Sequence, residues 1–297
     1  MSKVGVIGLG LLGTALAHRF LSSRNRVLGY DLSVERRMAL ESAGGRAADS
    51  ALEVAEHCDT IVLSLPDADI VAGVIDSIEP ALRAGQLIVD TTTGEPLETE
   101  LLGARLARRG VDFLDATIAG SSVQVYDGQV IVMVGGDEEV LQAASDLFRC
   151  FAREVFHIGR WGAGSRMKLV VNLVLGLNRA VLAEGLTLAQ SLGLDQHRAL
   201  TILKASPAYA TVMDTKGEKM LNHDFTAQAK LSQHLKDVRL ILAAGARTGV
   251  ELPLSSVHHE LLELAEALGC GELDNSAIIR AFEEKTSGSS FDDFKPD

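Results

Sequence analysis

Paired cysteines are missing from this chain of 297 residues. Its three cysteines, Cys58, Cys150 and Cys270, lie far apart and lack the spacing of a metal-binding pair. No metal site is expected from them, nor a disulfide framework, and reduced thiols in a cytoplasmic protein are the simplest reading. Blocks of lysine or arginine are missing as well. With 28 Lys+Arg against 40 Asp+Glu the formal net charge is −12. That argues against nucleic acid or an anionic membrane as the main partner, because both are held through clustered positive charge. A small anion needs only one local positive pocket and is not excluded. No uncharged apolar stretch reaches the ~20 residues of a membrane span, and no internal repeat is present. What remains is a chain 47% hydrophobic and 23% charged, able to bury a large globular core without staples.

The opening "MSKVGVIGLGLLGTALAHRF" has a lysine, an apolar run and an Ala-Leu-Ala, the outline of a signal peptide. Its single early charge and the regular spacing of its glycines favour a folded segment instead. "KVGVIG", "RVLGYD", "TIVLSLP", "QLIVDTT", "VDFLDA" and "QVIVMVGG" read as strands, and stretches with helical spacing lie between them. This rhythm predicts an α/β, Rossmann-type, doubly wound domain over residues 1–164, with a mainly parallel sheet covered on both faces. From Ser165 to Leu192 there is no proline, and apolar residues occupy nearly every face. A helix of that length spans roughly 42 Å at ~1.5 Å per residue, and one apolar all round is expected to be buried in a core or against another subunit. An all-α domain is expected over residues 165–286, with a flexible tail over 287–297 and a homodimer or homotetramer as the assembly.

Gly8, Gly10 and Gly13 follow a strand and open a helix, with Leu9, Leu11 and Leu12 between them. The first glycine permits the tight turn, the second lets the backbone approach a pyrophosphate, and the third lets helix and strand pack closely. The helix N-terminus adds N–H groups and a positive dipole end. Asp31 ends the next strand, where a carboxylate hydrogen-bonds the adenosine ribose. A 2′-phosphate there would meet like charge, at a cost of up to ~4 kcal/mol in an intermediate dielectric. NAD is therefore preferred, while Ser33, Arg36 and Arg37 leave NADP open; an exposed first helical turn is the plainer reading of those arginines.

In "GAGSRMKLVVN", Lys168 stands at the head of the long helix and Asn172 one turn later. A lysine in an apolar pocket loses proton affinity and can act as the acid or base that hydride transfer requires. A lysine snorkelling from a helix end has the same spacing, so spacing alone leaves both readings open. "DATIAGSSVQVYDGQVIVMVGG" then puts small and hydroxyl residues after a strand end, and "HLKDVRL" sets Lys236 beside Asp237.

These motifs, in this order, resemble the β-hydroxyacid dehydrogenases, the group of 3-hydroxyisobutyrate dehydrogenase, tartronate semialdehyde reductase and the glyoxylate/succinic semialdehyde reductases. The group is related to 6-phosphogluconate dehydrogenase. The resemblance runs over about residues 3 to 285. It implies an NAD(P)-dependent oxidoreductase for a small carboxylate-bearing hydroxy acid or its semialdehyde. Lys168 matches the catalytic lysine and Asn172 its helical partner near the substrate. Lys236 matches the lysine over the nicotinamide end, with Asp237 orienting it. Thr93 matches a threonine lining the cofactor site, and Leu65 and Pro66 match the loop beside the adenosine half.

The chain departs from the family pattern where the substrate carboxylate is held. In place of Asp-Ala-Pro-Val followed by Ser-Gly-Gly it has Asp115-Ala116-Thr117-Ile118 and then Ala119-Gly120-Ser121-Ser122. Gly120, Ser121 and Ser122 are the candidate substrate contacts, with helix capping or turn formation as the alternative for the serines. His18, His57, His157 and His234 share no ligand spacing and are expected at surface or satisfied helix positions. His258 and His259 are expected on a surface helix, and Trp161 between the domains. An imine reductase on the same scaffold, disfavoured by Lys168, and a silent cofactor-binding scaffold are the alternatives to an enzyme of this family.

Overall fold

The computed structural model describes residues 3–287; the expected tail lies outside the described residues except for Ser287. The chain divides into two compact units, Met1–Lys168 and Leu169–Asp297.

The first unit holds eight strands: β1 (Lys3–Ile7), β2 (Arg26–Tyr30), β3 (Arg46–Ala47), β4 (Thr60–Leu63), β5 (Leu87–Asp90), β6 (Asp112–Ala119), β7 (Val130–Gly136) and β8 (Ala152–Gly159). They form one sheet in the order β3-β2-β1-β4-β5-β6-β7-β8. Every pairing is parallel except β6 with β7. The chain winds outward from β1 to β3, then restarts at β4 on the other side, which makes the β1/β4 boundary the switch point of a doubly wound fold. The helices between strands are α1 (Leu11–Ser22), α2 (Val34–Ser42), α3 (Ala51–His57), α4 (Ala68–Ile78), α5 (Pro96–Ala107), α6 (Ser122–Tyr126), α7 (Glu138–Ala143) and α8 (Ser145–Arg149).

Alternation along the strands sorts side chains into two cores. Val4, Val6, Val62, Val89 and Leu114 face α1 and Phe148, while Ile7, Ile61, Leu63, Ile88 and Phe113 face α3, α4 and Leu106. Two strands escape the sequence pattern. β3 is two residues long, and β8 is an edge strand whose Arg153 to Ile158 are exposed on both faces, so it has no alternation to read. Trp161 also differs from expectation. It packs on Gly103 of α5 and donates from Nε1 to the Phe113 carbonyl at 2.9 Å, all inside this unit.

A long helix, α9 (Ala163–Ser191), gives its first turns to the first unit and the remainder to the second. α10 (Gln196–Ala205), α11 (Val212–Leu221), α12 (Leu231–Thr248), α13 (Pro253–Ala265) and α14 (Ile279–Ser287) follow. Leu182, Ala183, Leu186, Leu231, Leu235, Leu262 and Ile278 are the centre of this second core. α9 is not buried all round. Its length and composition would suffice to cross a bilayer, yet it carries Arg166, Lys168, Arg179 and Glu184. Val170, Val174, Val181 and Leu188 form an exposed apolar stripe opposite the buried face.

His258 is likewise not on a surface helix face. It is 2% exposed, with its ring 5.2 Å from that of His234, and burial together with the nearby Arg179 charge pushes its imidazole down to about 4. Its spacing to the buried Leu261, Leu262 and Ala265 was the signal for this. Asp274 is a well-served buried charge. Burial works to raise its carboxyl, but Lys216 Nζ at 2.8 and 2.9 Å, with the Gln228 N–H at 2.9 Å, brings it down to about 2.

Arg179 is the opposite case. Its side chain is buried, and Nε and Nη1 have no partner among the described residues. Burial lowers its guanidinium to about 10, so it stays charged at neutral pH. A buried, under-bonded cation costs more than an apolar side chain of similar length. Arg179→Met is expected to stabilise the protein by about 1–3 kcal/mol, read as a rise of several degrees in melting temperature by calorimetry; an unchanged or lower midpoint contradicts this.

Candidate active site

The glycine loop joins β1 to α1 at the switch point. Gly8 donates to the Tyr30 carbonyl at 2.9 Å, and Ser64 donates to that of Ile7 at 3.0 Å, fixing the end of β1 between its neighbours. Gly8 has φ +92°, and a Cβ there would collide with the Ser64 carbonyl. A Cβ on Gly13 would collide with the Gly8 carbonyl. Gly10 differs: a Cβ on it would meet nothing within 4 Å. Two glycines are thus required by packing, and the third leaves open space over the start of α1. Gly10 is the N-cap and has no side chain to occupy the first-turn N–H groups of Leu11, Leu12 and Gly13. Such a cradle fits a dinucleotide pyrophosphate.

Asp31 follows β2 and is 9% exposed. Its Oδ2 accepts from the Leu9 N–H at 2.7 Å and its Oδ1 from the Ser33 N–H at 2.9 Å. The carboxylate is therefore aimed from within the loop itself. Arg36 pairs with it at 3.3 Å, and Arg37 donates to its carbonyl at 2.7 Å while lying over the Tyr30 ring. The two arginines thus attach to Asp31, and Arg36 remains half exposed.

Leu65 and Pro66 follow β4, with Leu65 half-buried and Pro66 exposed. The Leu65 N–H donates to Thr92 Oγ1 at 3.2 Å, and Thr91 Oγ1 donates to the Leu63 carbonyl at 2.7 Å. These hydroxyls lock the ends of β4 and β5 together, and they leave Thr93 half-buried at the same carboxyl edge.

The end of β6 meets the start of α9. Asp115, 1% exposed, accepts from the Gly162 N–H at 3.1 Å and the Ser165 N–H at 2.9 Å. Burial raises its carboxyl to about 6, against the pull of those hydrogen bonds. Thr117 Oγ1 donates to the Gly164 carbonyl at 3.0 Å. Lys168 Nζ donates to the Ile118 carbonyl at 2.7 Å. Gly120, at φ +150°, then turns the chain into α6. Ser121 is the N-cap of α6. Its hydroxyl accepts from the Gln124 N–H at 3.3 Å while Gln124 Oε1 accepts from the Ser121 N–H at 2.9 Å, a complete capping box. Capping is therefore realised for Ser121; the hydroxyl hydrogen is not used by that cap. Ser122 is the first residue of α6 and half-buried.

In the second unit, Asn172 is 5% exposed and donates from Nδ2 to Asp237 Oδ2 at 2.9 Å. Asp237 also pairs with Lys236 at 3.5 Å. The first unit holds the glycine loop with Asp31 bonded to it, Leu65, Pro66, Thr93, Gly120 to Ser122, and Lys168 bonded to Ile118, while the second holds Asn172 and Lys236, both in contact with Asp237. Sequence reasoning missed the cap formed by Asp115 and the hydroxyl link from Thr117.

Comparison with known proteins agrees. A family model described as the NAD binding domain of 6-phosphogluconate dehydrogenase matches residues 3–159, more than half of the chain. One described as NAD-binding of NADP-dependent 3-hydroxyisobutyrate dehydrogenase matches residues 162–282. The chain is 32% identical to 2-(hydroxymethyl)glutarate dehydrogenase of Eubacterium barkeri, over 97% of each protein. It is 29% identical to 2-hydroxy-3-oxopropionate reductase of Escherichia coli (strain K12), over 95% of this chain and 97% of that one. The crystal structure of 3-hydroxyisobutyrate dehydrogenase from Salmonella typhimurium matches with a TM-score of 0.88 at 25% identity, over 94% of this chain and 99% of that one. With this fold and this phosphate cradle, the chain belongs to the β-hydroxyacid dehydrogenase family, NAD(P)-dependent oxidoreductases acting on CH–OH groups.

Proposed function

We propose that the protein interconverts a small β-hydroxy acid and its semialdehyde, with Lys168 as general acid and base and NAD preferred over NADP. The observation that carries this reading is the 2.7 Å hydrogen bond from Lys168 Nζ to the Ile118 carbonyl, two residues before Gly120. It brings the ammonium to the stretch from which Gly120, Ser121 and Ser122 would contact a substrate carboxylate. A bound dinucleotide supplies the hydride, or accepts it in the reverse direction. In reduction, Lys168 gives its proton to the carbonyl oxygen; in oxidation, it takes the hydroxyl proton. Asn172, held by Asp237, orients the oxygen that exchanges this proton. Lys236 closes over the nicotinamide end, with Asp237 directing it. Thr93, Leu65 and Pro66 line the dinucleotide, and Gly8 to Gly13 hold its phosphates.

A homodimer or homotetramer in the cytoplasm completes the proposal. The three cysteines are free and buried, as in a reducing compartment. The apolar stripe of Val170, Val174, Val181 and Leu188 on α9 is the kind of surface a second copy covers.

Three outcomes test this reading. Lys168→Ala should lower kcat by ~10²-fold or more while NADH still binds, followed at the nicotinamide absorbance with a panel of hydroxy acids and semialdehydes; normal turnover removes lysine from the chemistry, and tight NADH binding without turnover of any substrate by the wild type points to a scaffold. Asp31→Ser should weaken NADH and strengthen NADPH binding, together changing the preference by roughly tenfold or more through loss of like-charge repulsion; an unchanged Kd ratio contradicts the role of Asp31. Sedimentation at micromolar concentration should show a dimer or larger, and a lone monomer excludes the assembly.

A further inference from the structure

The contacts between β6 and the first turns of α9 have no counterpart in the family pattern at one position, Thr117, which stands where that pattern has proline. We propose that Thr117, together with Asp115, is a positioning residue for Lys168: the two side chains fix the start of α9 on β6 and thereby set where the lysine ammonium stands. The proposal rests on the reading of Lys168 as the general acid and base.

β6 is a rigid base for such a clamp. It pairs in parallel with β5 and in antiparallel with β7, in continuous register from Leu114 to Ala119 on the β7 side. A proline at position 117 would lack the N–H that an interior strand uses in its ladder. Threonine keeps that N–H and adds a hydroxyl, fully buried, 3.0 Å from the Gly164 carbonyl and 3.3 Å from the Met133 carbonyl. The Gly164 carbonyl is also the helical acceptor for the Lys168 backbone N–H. The hydroxyl therefore reaches the peptide group on which Lys168 hangs.

Asp115 takes hold from the other side of the same turn. It accepts the N–H groups of Gly162 and Ser165, which the helix cannot pair internally. Ile118, next to Thr117 on the strand, gives its carbonyl to the lysine ammonium itself. Alternate residues of a strand point to one face, so Asp115 and Thr117 grip α9 together. The approach leaves no slack. A Cβ on Gly164 would stand 2.6 Å from both the Asp115 and Met133 carbonyls, and one on Gly135 would collide with Asp115 Oδ1.

A displacement of about 1 Å at a reacting group can cost ~10²-fold in rate, so loosening this clamp should act on turnover and leave dinucleotide affinity alone. The test compares Thr117→Val, Thr117→Ser, Asp115→Asn and Lys168→Ala in the full chain, measuring kcat, KM for substrate, Kd for NADH and melting temperature with the best substrate of the panel. Thr117→Val should lower kcat by about tenfold with the NADH Kd unchanged, and Thr117→Ser should restore kcat to within about twofold of wild type. Asp115→Asn, which keeps one acceptor of two, should lower kcat in the same way. If Lys168→Ala is inactive while Thr117→Val and Asp115→Asn turn over normally, the positioning role is overturned and the proposed chemistry stands. If Lys168→Ala is fully active, both fall. A Thr117→Val loss that Thr117→Ser fails to rescue also overturns the proposal. Should Thr117→Val not fold, Asp115→Asn decides, and a normal kcat there rejects it.

Discussion

A carboxylate buried to 1% exposure must be matched by donors, and the first unit is arranged around the way Asp115 is matched. Its partners are the N–H groups of Gly162 and Ser165, which any helix start leaves over. The strand end and the helix start are each incomplete alone, since one has a charge to satisfy and the other has donors to spend. Together they reduce both deficits. Burial still raises the carboxyl to about 6, so the hydrogen bonds offset only part of the desolvation. The absence of side chains at Gly135 and Gly164 follows from the same close approach.

Buried charges are served unequally in this protein. Asp31, Asp115 and Asp274 each meet several donors at hydrogen-bonding distance. The first stands in the phosphate cradle of the glycine loop, and the second at the junction of β6 with the start of α9. Arg179 has no comparable set: its Nε and Nη1 are buried without a partner among the described residues, although the Asp274 carboxylate attracts its charge. Charge aimed by backbone N–H groups serves geometry at modest cost, while charge left under-bonded is a burden on stability.

What the sequence disclosed was whatever local pattern encodes. The glycine loop and Asp31 are legible because strand, turn, helix and strand follow each other within one contiguous stretch, and every constraint on them lies inside it. Short apolar, β-rich runs bounded by Gly, Pro or Asp revealed the strands buried on two faces but not β8, whose exposed edge position breaks the run. The antiparallel turn of β7 left no signature, because alternation does not carry strand direction. Composition showed α9 as apolar on every face, although one face packs in protein and the other is open. His258 was read as a surface residue from its glutamate neighbours, although its helical spacing to Leu261, Leu262 and Ala265 carried the opposite signal. The link from Thr117 to Gly164 joins residues 47 apart in the chain, and no local pattern reaches that far.

The same geometry explains why the reaction class of this chain is easier to infer than its substrate. The side-chain contact that holds Lys168 is with Ile118, between the altered positions Thr117 and Ala119 and before the altered Ser121. The turn proposed to face substrate begins only after Ala119, the last residue of β6 in the ladder, where Gly120 breaks the strand conformation. Changes at Ser121 and Ser122 can therefore reshape the proposed carboxylate contact without touching the strand contact of the lysine. Ser121 shows one such change: its hydroxyl has been recruited into the cap of α6, so the turn is held by its own hydrogen bonds and needs no ligand to set it. A turn ordered in advance presents its remaining donors at low entropic cost, which favours a substrate whose carboxylate matches that fixed shape over one that must mould it. On the proposed function, the self-capped turn sets which substrate carboxylate fits, and it lies downstream of the strand contact that holds Lys168.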